Sequence, residues 1–254
     1  MKRLLAVTAI AFILAVSGAF TAQAGKIVLT NDEWTLSDTG FAQAGTQPGQ
    51  FALNVANWFT GSTGNFLVYS NNFGLVQSSL QSTMTSAGYG WTITTGLPQT
   101  LATLQGYDAV FLAGNNFDNN ALIQYINGGG NVFLEGGTGV VAGGAAGEAA
   151  QWNAFLNAFG LGFGSVYNGV GGNIPIASSH PIFAGVTSLY QNNGNDTLDI
   201  NVSDPRGQVL VTSATSGHGL YAVYESVSVP EPGTLILLGG ALIGLFGLRR
   251  KVGA

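Results

Sequence analysis

DAVFLAGNNFDNNALIQYINGGGNVFL, residues 108–134, is the stretch that decides the fold. It opens with a short apolar run, continues from Asn119 with apolar residues at helical spacing, and closes with a second apolar run from Asn131. Gly128–Gly130 separate the last two segments, and glycine tolerates the left-handed conformation in which many helices end. A strand, a helix and another strand in this order predict a βαβ unit with parallel strands.

The same alternation continues on both sides of this unit. Strands are predicted at Lys26–Thr30, Asn65–Ser70, Trp91–Thr95, Gln208–Thr212 and Leu220–Glu225, and helices at Phe51–Phe59, Leu75–Ala87, around Leu101 and Leu104, and at Glu148–Phe159. Strands that are apolar throughout are typical of parallel sheets covered on both faces. We therefore expect an α/β fold, a doubly wound, mostly parallel sheet with helices on both faces.

Three segments carry a resemblance to a known superfold. They are residues 107–114 (YDAVFLAG), 122–137 (LIQYINGGGNVFLEGG) and 180–186 (HPIFAGV). Together they resemble the class I glutamine amidotransferase-like superfold, a flavodoxin-like α/β architecture, and its non-catalytic relatives. Active members carry a cysteine at the sharp turn after a strand. Here that turn reads Glu135-Gly136-Gly137-Thr138 and the chain has no cysteine, which excludes amidotransferase chemistry.

The amino-terminal segment predicts export. Lys2 and Arg3 precede an apolar run from Leu4 to Val16, and Ala22-Gln23-Ala24 is a small-x-small cleavage site before Gly25. This order is typical of a secretory signal peptide handled by the Sec export machinery. Residues 1–24 are therefore predicted to be removed between Ala24 and Gly25, and residues 25–228 to form the exported domain.

The carboxyl-terminal segment, residues 229–254, predicts sorting. Pro230-Glu231-Pro232 precedes an apolar run from Leu235 to Leu248 and the basic cluster Arg249-Arg250-Lys251. The apolar run predicts a transmembrane helix, although it is shorter than the ~20 residues that usually span a bilayer. The segment resembles the PEP-CTERM sorting signal of Gram-negative bacteria. The resemblance implies an exosortase, a membrane-embedded cysteine protease, as partner, with transient residence in the inner membrane before transfer to the cell surface or the medium.

Charge excludes some classes of partner. Of the seven basic residues, five lie in the two end segments, which leaves Lys26 and Arg206 for the exported domain. Because an acidic surface repels phosphate backbones, we expect no nucleic-acid binding. The absence of cysteine removes disulfides and thiolate metal sites. We expect neither a metal nor a cofactor.

A few polar residues are candidates for ligand binding. Asp32, Glu33 and Asp38 follow the first predicted strand, and Glu135 follows another, so these acids are expected near the carboxyl edge of the sheet where α/β folds collect ligands. Sugar hydroxyls or a calcium ion can use such oxygens, whereas solvated loop acids are the alternative. His180 precedes Pro181 and is either a site residue or a cap of a short helix.

The sequence thus predicts a non-enzymatic surface or matrix protein sorted by an exosortase. Association with exopolysaccharide or biofilm is what the sorting resemblance implies. Two alternatives stay open. One is a secreted hydrolase acting on glycans with Asp32 or Glu33 and Glu135 as paired carboxylates. The other is a ligand-binding domain retained at the membrane by an uncleaved tail.

Overall fold

A seven-stranded mixed sheet organises the chain. The structure, a computed structural model, describes residues 25–139 and 143–226, and the predicted signal peptide and sorting tail lie outside them. Five strands are parallel: β1 Lys26–Thr30, β2 Asn65–Tyr69, β3 Gly90–Ile93, β4 Ala109–Ala113 and β5 Asn131–Glu135. Two antiparallel strands complete one edge: β10 Gly207–Thr212 and β11 Gly219–Glu225. The mostly parallel α/β sheet is therefore confirmed.

The strand order is β10-β11-β1-β5-β4-β2-β3. From the parallel edge inward, the strands lie in the order β3-β2-β4-β5-β1. When β2 is counted as the first strand, this is the flavodoxin-like order 2-1-3-4-5, in which β1 of this chain occupies the fifth position. The first strand of the chain therefore lies beside β5, with Thr30 paired to Glu135 at the carboxyl ends of the two strands.

Seven α-helices occur in the described ranges. They are α1 Asp38–Ala42, α2 Pro48–Thr60, α3 Phe73–Val76, α4 Ser78–Ser86, α5 Leu101–Leu104, α6 Asn119–Asn127 and α7 Ala145–Leu156. The prediction of one helix over 75–87 was wrong, because Gln77 is extended (ψ 161°) and separates α3 from α4. Helix α7 begins three residues earlier than predicted, and its predicted last turn is the 3₁₀ turn Asn157–Phe159.

Two apolar cores cover opposite faces of the sheet, because neighbouring residues of a strand point to opposite sides. Val28 and Phe133 pack on one face with Phe51 of α2, and Leu29 and Leu134 pack on the other face with α6 and α7. This two-sided burial is the reason why the parallel strands are apolar throughout.

Two small antiparallel strand pairs were not predicted from the sequence. Strand β6 Leu161–Tyr167 pairs with β9 Asn195–Asp199, and β7 Gly171–Pro175 pairs with β8 Ser188–Asn192. The turn between β8 and β9 reaches the carboxyl end of β1, where the backbone N–H of Asn195 donates to the backbone carbonyl of Asn31 at 2.8 Å.

The connections leaving β1 and β5 run to opposite faces. The chain after β1 continues to α2 on one face, whereas the chain after β5 continues to α7 on the other. Adjacent strands whose outgoing connections diverge in this way form a topological switch point, the position at which open α/β sheets bind ligands.

Candidate functional site: a crevice lined by carboxylates

Four buried carboxylates gather at this switch point. Asp32 and Glu33 follow β1, Glu135 is the last residue of β5, and Glu148 lies in the first turn of α7. We call them, together with Asn72, the carboxylate crevice. The exposed fractions of the acids are 0% for Asp32 and Glu135, 2% for Glu148 and 6% for Glu33.

Asp32 holds loops together. Its carboxylate accepts the backbone N–H of Trp34 at 2.8 Å, that of Asn192 at the end of β8, and that of Gly194 in the β8–β9 turn. Burial raises the pKa of Asp32 to about 6, although these three N–H groups favour the ionised form. The side chain therefore clamps the β8–β9 turn to the end of β1.

Glu33 is the least buried of the four acids. The Nδ2 group of Asn72 donates to its Oε2 atom. Burial raises the pKa of Glu33 to about 7, the Asn72 hydrogen bond opposes this shift, and the nearby charges of Asp32 and Glu148 add to it. Near neutral pH, Glu33 therefore exchanges a proton.

Glu135 is buried without a hydrogen-bond partner on either carboxylate oxygen. Burial, followed by the charges of Glu33 and Asp32, raises the pKa of Glu135 well above its ordinary value. Helix α3 covers it closely. A Cβ atom on Gly74 would lie 2.6 Å from Oε2 of Glu135 and 2.5 Å from the carbonyl oxygen of Glu33, so only glycine fits there.

Glu148 supports the glycine-rich loop after β5. It accepts the Thr138 N–H at 3.1 Å and the Thr138 hydroxyl, while its Oε2 atom is buried and unpartnered. Burial raises the pKa of Glu148. Tyr167, 40% exposed, lies at this side of the crevice, with its hydroxyl 2.7 Å from the position that a Cβ of Gly139 would take.

The other candidate residues lie elsewhere. His180 accepts the Ile182 N–H at 3.4 Å, caps the 3₁₀ turn Pro181–Phe183 and packs edge-on against Trp58. Burial lowers its pKa. Asp38 begins α1 and accepts the Ser79 N–H at 2.9 Å. The structure therefore brings Asp32, Glu33 and Glu135 together and leaves His180 and Asp38 outside the crevice.

Glu148, Asn72 and Tyr167 were not predicted as site residues from the sequence. Glu148 carried one signal, since it is an acid in the first turn of an otherwise apolar helix that follows a glycine-rich loop. Asn72 and Tyr167 carried none, because only the packing of α3 and β6 brings them to the crevice.

The comparison with known protein families found a match in the carboxyl-terminal tail. Residues 228–251 match the family model of the PEP-CTERM protein-sorting motif. The match contains Pro230-Glu231-Pro232 and the basic cluster Arg249-Arg250-Lys251. The PEP-CTERM motif supports an exported protein that is sorted by an exosortase.

The described domain has no such match. No curated protein and no solved structure matches the chain significantly, so its likeness to the amidotransferase-like superfold stays a prediction. Within residues 25–139 and 143–226, the helices are too short or too polar to cross a membrane. In the same ranges, His, Asp and Glu side chains form no group of three or more arranged to hold a metal ion.

Proposed function

We propose that this chain is an exosortase-processed surface or matrix protein whose domain, residues 25–226, acts by binding rather than by catalysis. The PEP-CTERM motif at residues 228–251 is the observation that carries the sorting part of the proposal. Processing removes the signal peptide before Gly25 and cuts the tail near Pro230, which releases the domain to the cell surface or the medium. Association with exopolysaccharide is the role that we propose for it there.

The side chains of the crevice argue against catalysis by a hydroxyl nucleophile. The oxygens of Asp32 hold backbone amides of two loops, Glu135 has no exposed surface, and the Thr138 hydroxyl is engaged by Glu148. A hydroxyl nucleophile needs a positioned base that is free to accept its proton and a path for the substrate. His218, the second histidine, pairs with Asp196 at 2.9 Å on another part of the surface.

The test is the intact mass of the protein in membrane, surface and medium fractions of its host. We expect a species that begins at Gly25 and ends near Pro230. Glu231→Gln should leave the protein in the membrane fraction with Ala254 intact, because it alters the tripeptide of the motif. Glu225→Gln is the matched control, since it neutralises a half-exposed carboxylate six residues earlier. Wild-type protein that retains Ala254 would refute processing and favour the membrane-retained ligand-binding domain.

One observation favours a secreted glycan hydrolase as the second candidate. Burial raises the pKa of Glu135 well above its ordinary value, which suits a general acid, and the pKa of Glu33, raised to about 7, leaves it ionised in part near neutral pH, as a base requires. Asp32 is committed to backbone amides, so the pair would be Glu33 with Glu135. Release of reducing ends from host exopolysaccharide, lost in Glu33→Gln, would establish this activity and refute the binding role.

A further inference from the structure

Charge is separated between the two edges of the sheet. The described residues contain two cations other than histidine, and both lie at the amino edge of the parallel strands. Lys26, the first residue of β1, contacts Glu225 at 3.3 Å and the Trp58 carbonyl at 2.7 Å, and Arg206 pairs with Asp204 next to β10. The carboxylates at the opposite edge therefore have no lysine or arginine partner in the described residues.

Three buried oxygens in the crevice also have no hydrogen-bond partner: both oxygens of Glu135 and Oε2 of Glu148. A buried carboxylate without a partner is costly, and either a proton or a cation removes that cost. Oε2 of Glu135 faces Gly74 and the backbone carbonyl of Glu33, and the charges of Glu33 and Asp32 act on Glu135, so Glu135 and the Glu33 side chain lie in the same small region. The region favours a positively charged group.

The rim of the crevice favours a ring that carries hydroxyl groups. Trp34 and Phe73, which follow Glu33 and Asn72 in the chain, are half-buried and pack edge to face at 4.8 Å, and the hydroxyl of the exposed Tyr167 lies near Gly139 in the loop that Glu148 supports. Aromatic rings offer an apolar face that carries partial negative charge, against which the C–H groups of a sugar can pack, and amides both donate to and accept from hydroxyls. This composition suits a sugar ring rather than an extended aliphatic amine.

We propose that the carboxylate crevice binds an amino sugar, with the ammonium group at Glu33 and the ring against Trp34 and Tyr167. The proposal rests on the binding role given above and names its ligand class as a cationic glucosamine-type polymer. Attraction between the ammonium group and the crevice should weaken as salt concentration rises.

The experiment is calorimetric titration of the purified full-length protein in mild detergent at pH 7.5. The probes are a glucosamine hexamer, its fully N-acetylated counterpart, spermidine and calcium chloride. Acetylation removes the positive charge and keeps the ring, whereas spermidine keeps the charge and lacks the ring. We expect the glucosamine hexamer to bind at least tenfold more tightly than the other three probes.

Two variants locate the site. Glu33→Gln should weaken binding of the glucosamine hexamer about tenfold or more, and Glu225→Gln should not change it. Tyr167→Ala, at the exposed rim and away from the buried acids, should also weaken binding several-fold. Equal affinity for the acetylated hexamer, tighter binding of spermidine or calcium, or wild-type affinity in both site variants would overturn the proposal. The mass measurement on the tail is independent of these outcomes, so failure here leaves the sorting proposal standing.

Discussion

Glu33→Gln provides the sharpest test of the crevice, because it should change how stability depends on pH. Burial raises the pKa of Glu33 from its ordinary value of 4.5 to about 7 in the folded protein. Between these values the folded state binds the proton that the unfolded state has released. The contribution of protonated Glu33 is therefore fully present below about pH 4.5 and is lost as pH rises through 7.

The size of the effect follows from the shift. Each pKa unit corresponds to about 1.4 kcal/mol, so a shift from 4.5 to about 7 corresponds to about 3 kcal/mol of unfolding free energy. Glutamine is nearly the same size, accepts the Asn72 hydrogen bond through its amide oxygen and carries no charge. The variant should match the wild type near pH 4 and exceed its stability by about 3 kcal/mol near pH 8.

Urea unfolding of both proteins in mild detergent at pH 4, 5.5, 7 and 8 measures this difference. The pKa values of Asp32, Glu135 and Glu148 are also raised, so both proteins lose additional stability as pH rises. The difference between the wild type and the variant therefore isolates the contribution of Glu33. Glu225→Gln at the amino edge is the control for loss of a carboxylate. A difference that stays constant with pH, or a wild type that gains stability relative to the variant between pH 5 and 8, would refute our account of Glu33.

Two further predictions concern glycines in close contacts. Gly74→Ala should lower the unfolding free energy by about 2 kcal/mol, because its Cβ would lie within 2.6 Å of the Glu33 carbonyl and the Glu135 carboxylate. Gly96→Ala is the control and should be nearly neutral, since its Cβ would meet only Thr94 Oγ1 at 3.5 Å. Equal melting temperatures for the two variants would contradict this packing. Gly25→Ala should leave signal-peptide removal intact but destabilise the mature protein, since its Cβ would lie 2.0 Å from the Ile126 carbonyl. Amino-terminal sequencing measures the first effect and a thermal melt measures the second. An unchanged melting temperature would show that Gly25 is not packed in this way.

Local patterns accounted for most of the secondary structure. The parallel strands at Lys26–Thr30 and Ala109–Ala113 and helix α6 lie within a residue or two of their predicted positions, because burial on both faces leaves an apolar run and amphipathic packing leaves a helical spacing. Strands β6 to β9 escaped prediction. They are rich in Gly, Asn and Ser and are only partly buried, so their pairing is determined by distant segments rather than by their own composition.

The candidate site was predicted only in part, because the local sequence shows which acids follow a strand but not which distant segments pack beside them. Asp32, Glu33 and Glu135 each follow a strand, and the carboxyl ends of parallel strands share one edge of the sheet. Asn72 and Glu148 join them only because β1 lies beside β5 and because α3 and α7 then pack over that edge. His180 lies apart, since the 3₁₀ turn that it caps packs against α2 near Trp58.

The sequence by itself determined most strands and helices around the central sheet and the sorting motif, because each of these is encoded in a short contiguous stretch. Tertiary structure decided which strands are neighbours and which acids lose their contact with water. The pKa of a carboxylate depends on desolvation and on charges from segments far away in the chain. Only the folded chain therefore distinguishes Asp32, which clamps two loops, from Glu33, which is poised to exchange a proton.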